Sequence, residues 1–484
     1  VRRSRLNRSA PSNRWRLAAL LLGSAALQAC AAATSTQTAE LATASATADV
    51  PGRWSGDFGP TGAAALATWW QRYGDPLLTE LVDEALAANT DVVGAQAALR
   101  QARAIRSGEA ATLFPQLGFG LSRQRSRTDA LGTAEQYDAG VDASWEPDIF
   151  GANRSGVRAA DADVRSTAAD LGNVQVSIAA EVAIAYITLR SEQARLAIAR
   201  ENLAAQLETL QLTEWRVQAG IATSLDAEQA RTASEQTRAQ LPAFESSLAR
   251  SRHSLAVLTG KPPADLDARL AATQPVPQPA GELTLAIPAD TLRQRPDVRA
   301  DEERLRAALA RVDAAQAARL PSLNLSGSFG AAGTTLGALT GGGAGVTALL
   351  ANLTVPLFDG GARRSQVRAQ EAAFDQAQAS YRASVLGALQ EAEDALATLY
   401  GDRERLEHLR AAADSAANAW LLAQQRYSSG IIDFQVVLET QRTLLNAQDN
   451  VATAEGDLSV DHVRLYKALG GGWEPDLLAD DGSR

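Results

Sequence analysis

The sequence predicts a mostly α-helical protein with a membrane β-barrel portion, built from two copies of one unit. Three observations predict it. Apolar residues recur every seven positions along very long proline-free runs. The same succession of features appears twice. Four short segments alternate apolar and polar residues.

The helices come first because their signal is longest. Val385, Ala392, Leu399, Leu406, Ala413, Trp420 and Tyr427 stand at steps of seven, with no proline between Pro356 and Pro475. A seven-step apolar stripe is the seam of a coiled coil. The pattern breaks between Tyr427 and Gly430 and resumes at Asp433. This predicts a helix from Gly361 to Tyr427, about 100 Å long at 1.5 Å per residue, then a tight turn and a returning helix. Val182, Leu189, Leu196, Leu203, Leu210 and Val217 repeat the stripe, and Gly220 repeats the break 210 residues before Gly430. Repetition at that period marks a duplicated chain.

The strands follow from a change of period. Leu113, Phe114 and Pro115 end a helical pattern, after which Leu117, Phe119 and Leu121 alternate with Gly118, Gly120 and Ser122. Tyr137, Ala139, Val141, Ala143 and Trp145 alternate with Asp138, Gly140, Asp142, Ser144 and Glu146. In the second copy Leu323, Leu325 and Phe329 alternate with Asn324, Ser326 and Ser328, and Leu349, Ala351, Leu353, Val355 and Leu357 alternate with Leu350, Asn352, Thr354 and Pro356. These patterns predict strands at about 117–123, 137–146, 323–329 and 349–357, each with one apolar face, as transmembrane strands have. Four strands cannot close a membrane barrel, and open edges are not tolerated in lipid. The barrel is therefore expected to be shared among subunits.

Other elements are read locally. Asp75 is a candidate N-cap with Pro76 at the first helical position, and that helix pauses near Asn89 before running to about Thr112. Pro275 to Pro288 forms a connector between the copies. Beyond it, Pro296 ends a short element and Asp297 caps the next helix.

The N-terminus reads as a secretory signal. Six arginines and no acid precede an apolar run from Leu17 to Leu27 that is too short to span a bilayer. The run ends at Leu27, Gln28, Ala29 and Cys30, which resembles a bacterial lipobox with Cys30 as the lipidated first residue. Cys30 is the only cysteine in the chain, so it has no disulfide role. The expected organisation is a signal peptide over 1–29, a lipidated linker over 30–65, a first repeat over 66–274 and a second over 275–484.

Composition excludes several functions. The net charge is −10, without the basic patch of a nucleic-acid binder. His253, His408 and His462 are far apart and read as helix-surface residues, and no Cys/His cluster has zinc spacing. The glycine-rich stretch 341–345 lacks the Lys-Ser/Thr of a phosphate-binding loop. No catalytic residue, cofactor or metal is expected.

The segment from Arg295, Pro296 and Asp297 to Glu302 resembles a hallmark of the outer membrane factor family, the TolC-type exit ducts of bacterial efflux pumps. Trp69-Trp70 with Asp75-Pro76 and the glycine turns at Gly220 and Gly430 match it too. Tyr466 to Trp473 resembles the NodT-like lipoprotein branch. The resemblance covers about residues 66–475. It implies a homotrimer with a twelve-stranded barrel and a twelve-helix periplasmic tunnel. The implied partners are a periplasmic adaptor and an inner-membrane pump, and the implied cargo is drugs, solvents and other small amphiphiles. It also implies that the adaptor docks at the Gly220 and Gly430 turns and that Glu439 and Arg442 form a periplasmic gate. Two other readings stand beside it: a type I secretion duct, and a non-porous coiled-coil lipoprotein, which leaves the alternating strands unexplained.

Overall fold

The computed structural model describes residues 66–128, 132–280, 295–339, 341 and 344–473. Cys30 and the rest of 1–65 lie outside the described residues, as does most of the connector.

The chain opens with a 3-10 turn, Trp69–Tyr73. Helix α1 (Pro76–Ala88) is capped by Asp75, whose carboxylate accepts from the Leu77 and Leu78 amides, and α2 (Thr90–Ala111) is capped by Asn89. Then come β1 (Gln116–Thr128) and β2 (Gly132–Trp145), α3 (Ala152–Gln218) and α4 (Ser224–Leu258). The second half supplies α5 (Pro296–Ala317), β3 (Ser322–Gly333), β4 (Ala344–Thr354), α6 (Ala362–Ser428) and α7 (Phe434–Ala468).

The duplication is visible element by element. Helices α3 and α6 each have 67 residues, and α4 and α7 each have 35. The seven-step stripes lie on the inward faces. Val182, Leu189 and Leu196 are buried on α3, and Val385, Ala392 and Leu406 on α6. Both long helices start after a left-handed glycine, Gly151 or Gly361. Each start is held by an aspartate carboxylate that accepts backbone amides: Asp148 from Asn153 and Arg154, Asp359 from Gly361 and Arg363. Pro242 lies inside α4, which continues past it to Leu258. A proline removes one helical hydrogen bond there, and the packed neighbours of the helix hold its course.

The core sits where the short helices meet α3 and α7. Trp69, Leu78, Leu81, Tyr186, Leu255 and Tyr466 are buried in it. Arg190 is fully buried in this region. It donates to Gln193 Oε1 at 2.8 Å, to the Ala272 carbonyl at 2.6 Å and to the Tyr186 hydroxyl at 2.9 Å. Tyr186 in turn donates to Asp75 at 2.6 Å. The two terminal nitrogens of this buried guanidinium are thus paired, while its Nε has no hydrogen-bond partner among the described residues.

Two local expectations need correction. Pro296 is the first residue of α5, and Arg295, not Asp297, occupies the N-cap; the short element expected before it lies outside the described residues. A residue before proline is pushed to extended geometry, which suits an N-cap. Asp297 falls in the first turn, where it accepts from the Val298 amide and from Arg295. His462 is half-buried rather than on the surface, and burial depresses its imidazole to about 4.

Candidate functional site

The four strands form one antiparallel sheet in the order β1-β2-β3-β4. The register brings the predicted apolar faces together. Phe119 pairs with Val141, Val141 with Phe329, Leu323 with Leu353 and Leu325 with Ala351. Leu117, Phe119, Phe329 and Leu349 are 71–88 % exposed on this face. The opposite face is concave and polar along β1 to β3, while β4 adds Ala348 and Leu350 to it. Asp142, Ser144, Ser326 and Ser328 line a groove of about 580 Å³ on it, and Asp138 lines a second groove of about 280 Å³. An apolar face this large needs a nonaqueous neighbour.

The strands are longer than the alternation predicts. β1 runs to Thr128, β2 starts at Gly132, and β4 spans 344–354 instead of 349–357. The ladder is made of backbone hydrogen bonds, so it continues through Arg123, Arg125 and Arg127, where the side-chain pattern has turned polar. It stops before Pro356, which has no amide to donate.

At the far end of the long helices, Gly220 and Gly430 close identical turns, both at φ +72°. The Gly220 amide donates to Val217 and the Ile221 amide to Arg216. The Gly430 amide donates to Tyr427 and the Ile431 amide to Arg426. This is the Schellman arrangement, in which only glycine is free of a Cβ penalty. Added Cβ atoms would meet nothing within 4 Å, so backbone conformation alone requires these glycines. Thr223 forms a full capping box with Asp226, whereas Asp433 holds the N-cap position of α7 without a side-chain cap bond. Arg216 lies over the Tyr427 ring at 4.7 Å, and Tyr427 packs on Phe434 at 5.3 Å, so the two turns are tied together. Ile221 and Ile431 stay exposed beside them.

Glu439 and Arg442 are on one face of α7, joined by hydrogen bonds of 2.9 and 2.7 Å and largely solvent-exposed. They line a groove of about 510 Å³ between α4 and α7, together with Glu228, Thr232 and Gln441. Among the described residues no other side chain is ion-paired with Glu439 or Arg442.

Arg295, Pro296 and Asp297 lie elsewhere, away from the tip. Arg295 is buried and donates to Asp297, to Glu391 on α6 at 2.7 Å and to the Ala468 carbonyl on α7 at 2.7 Å. Gly470 sits against its backbone at φ +73°, where a Cβ would come within 3.0 Å of Arg295 Cα. The motif thus joins three helices and does structural work. Among the described residues no group of His, Cys, Asp and Glu could hold a metal ion.

With this geometry in hand, the chain can be set beside known proteins. The family model for outer membrane efflux proteins matches residues 81–261 and 287–471. The chain is 35% identical over 418 residues to the toluene efflux pump outer membrane protein TtgF of Pseudomonas putida, covering 85% of this chain and 86% of that protein. The solved structure of the outer-membrane channel OprN superposes with a TM-score of 0.80 at 33% identity, covering 88% of this chain and 99% of that chain. The outer membrane protein VceC from Vibrio cholerae gives 0.77 at 27% identity, covering 84% of this chain and 99% of that chain.

Proposed function

The chain belongs to the outer membrane efflux protein family, and from that premise we propose that it is the outer-membrane exit duct of a tripartite efflux pump. It conducts drugs, solvents and other small amphiphiles passively from a periplasmic adaptor and inner-membrane pump to the exterior. The observation that carries this reading is the four-stranded sheet. Its apolar face is exposed, its polar face is concave, and it stands at one end of helices about 100 Å long.

Strands β1 and β4 are open edges, and lipid does not tolerate them. Pairing β1 of one copy with β4 of the next closes a ring, and three copies give twelve strands. The polar concave faces then line the pore. The Gly220 and Gly430 turns, with Ile221 and Ile431 exposed beside them, form the periplasmic end where the adaptor docks. Three Glu439–Arg442 pairs gathered at that end make the resting gate. Cys30 carries the acyl anchor, and residues 66–274 and 275–484 are the two efflux repeats.

Energy enters through the pump, since the duct itself only needs to present a continuous path. A type I secretion role shares the fold and differs in its partner. Relatives such as TtgF, described as part of a toluene efflux pump, favour small amphiphiles as cargo. Deleting the gene in its own host tests this. Accumulation of a lipophilic efflux dye should rise and return to normal on complementation. Unchanged accumulation, with loss of a secreted protein instead, would assign the duct to type I secretion.

A further inference from the structure

Arginines stand at one place on the apolar face of the sheet. Along β1 the outward positions read Leu117, Phe119, Leu121, then Arg123, Arg125 and Arg127. The change happens opposite Tyr137, which pairs with Arg123 in the ladder. From Trp145 to Tyr137 the outward face of β2 is aromatic or aliphatic, a span of about 27 Å at 3.4 Å per residue. Tilted as barrel strands are, that projects to about 20 Å, which fits within an apolar band about 25 Å tall, with an aromatic residue at each end. The three arginines begin where the band ends. They are at the hairpin end, away from the helices, which in the duct reading is the exterior side. This inference rests on that reading.

The charges are sorted by face. Asp138 and Asp142 point to the concave side, and among the described residues the outward side at this level holds one acid, Glu135. Arg123 reaches Glu135 at 3.1 Å and Arg125 at 3.7 Å, so one carboxylate serves two guanidinium groups. Their side chains remain 57 % and 67 % exposed. Among the described residues no carboxylate pairs with Arg127. A neighbouring copy does not supply one, since β4, the strand that would flank β1, has no charged residue. Among the described residues three cations face one carboxylate at the edge of a lipid band, and Asp129 of the hairpin loop lies outside them; even counted, it leaves cations in excess, which calls for anions from the lipid itself. Guanidinium groups bind phosphate through paired, planar hydrogen bonds, and the alternation of the strand spaces every second residue along a row.

We propose that Arg123, Arg125 and Arg127 form a binding site for the phosphorylated glucosamine headgroup of outer-leaflet glycolipid. The site orders a lipid at the boundary between subunits, because β1 is an edge strand. The second hairpin has no counterpart, so each chain carries one such site.

The test uses purified full-length protein in detergent, with bound lipid counted by native mass spectrometry. Wild type should retain bisphosphorylated lipid A about tenfold better than dephosphorylated lipid A, as charge-assisted pairing requires. Arg125→Gln with Arg127→Gln should lose that preference, and Arg319→Gln, at the opposite end of the sheet, should keep it. Glu135→Gln, which releases Arg123 and Arg125, should raise retention even if the double variant assembles poorly. No preference for phosphate in wild type, or equal retention by the double variant, would overturn the proposal. So would unchanged retention in Glu135→Gln. Displacement of the lipid by inorganic phosphate at equal concentration would make the site one for free anions. Conductance of the same preparation keeps the two ideas apart. A conducting protein without the preference overturns only the lipid site, and a non-conducting one overturns the duct reading.

Discussion

Arg442 grips Glu439 through one guanidinium nitrogen, which donates to both carboxylate oxygens at 2.9 and 2.7 Å. In an isolated chain this is an exposed i, i+3 pair worth a few tenths of a kcal/mol. Gathered three-fold about an axis, the same pairs would have no room to separate without exposing like charges to one another. Replacing both residues by alanine should therefore leave the stability of the protein within about 1 kcal/mol of wild type and raise its resting conductance in planar bilayers. Entry of large antibiotics such as vancomycin into cells should increase as well. Unchanged conductance in a correctly assembled trimer would place the gate on other residues.

Gly430 tests the tip. Its φ of +72° costs a side-chain-bearing residue about 1–2 kcal/mol, and no neighbour blocks a Cβ. If the adaptor docks at this turn as proposed, Gly430→Val should leave normal amounts of protein in the membrane but abolish efflux. Immunoblot and dye efflux, measured together, separate this from folding. Efflux that falls only in proportion to protein would leave the glycine a folding role alone.

The two faces of the sheet make a paired prediction. Val141 and Leu353 are exposed on the apolar face, and Asp142 lines the concave groove. Val141→Arg or Leu353→Arg should cost about 2–4 kcal/mol at mid-bilayer depth and cut trimer yield. Asp142→Arg should assemble nearly as well as wild type. Trimer yield is read from gel mobility before and after heating, and equal tolerance at all three positions would contradict the assigned faces.

Asp461 makes stability depend on pH. It is buried on α7, and burial pushes its carboxyl up to about 6. The nearby Asp402 adds to the rise, and Arg464 at 2.9 Å opposes it. The folded state therefore holds this proton more tightly than the unfolded chain does. That contribution is complete below the ordinary carboxyl range and is lost as pH rises through about 6. Asp461→Asn should flatten this part of the thermal stability profile between pH 4 and 7, measured by calorimetry. A profile that keeps its slope would assign the effect to other groups.

The long helices were legible because their apolar stripes sit seven residues apart and end in glycine. Val182, Leu189, Val385 and Ala392 proved buried as the stripe requires. The strand faces were legible for the same reason, since the period of two survives in Phe119, Val141 and Phe329. Strand ends were not, because hydrogen bonding continues where side chains such as Arg125 no longer follow the pattern. The contacts that tie the halves together were also out of reach. Trp69 stacks on Tyr466 at 5.1 Å, and a Cβ on Gly172 would lie 2.5 Å from Trp473. Neither pairing has a local signal in sequence. The site residues fell into separate groups for a physical reason. Arg295 is held by helices α6 and α7 in the packed body, whereas Gly430 and Glu439 belong to the tip.

In the proposed duct the open edges β1 and β4 join between copies to make a conducting barrel. Single-channel recording of the purified wild-type protein in planar bilayers tests it most directly. Discrete, uniform conductance steps from a preparation of three-chain mass would meet the prediction. Insertion without any conductance, or a stable single chain that never associates, would contradict it and leave a coiled-coil lipoprotein without a pore.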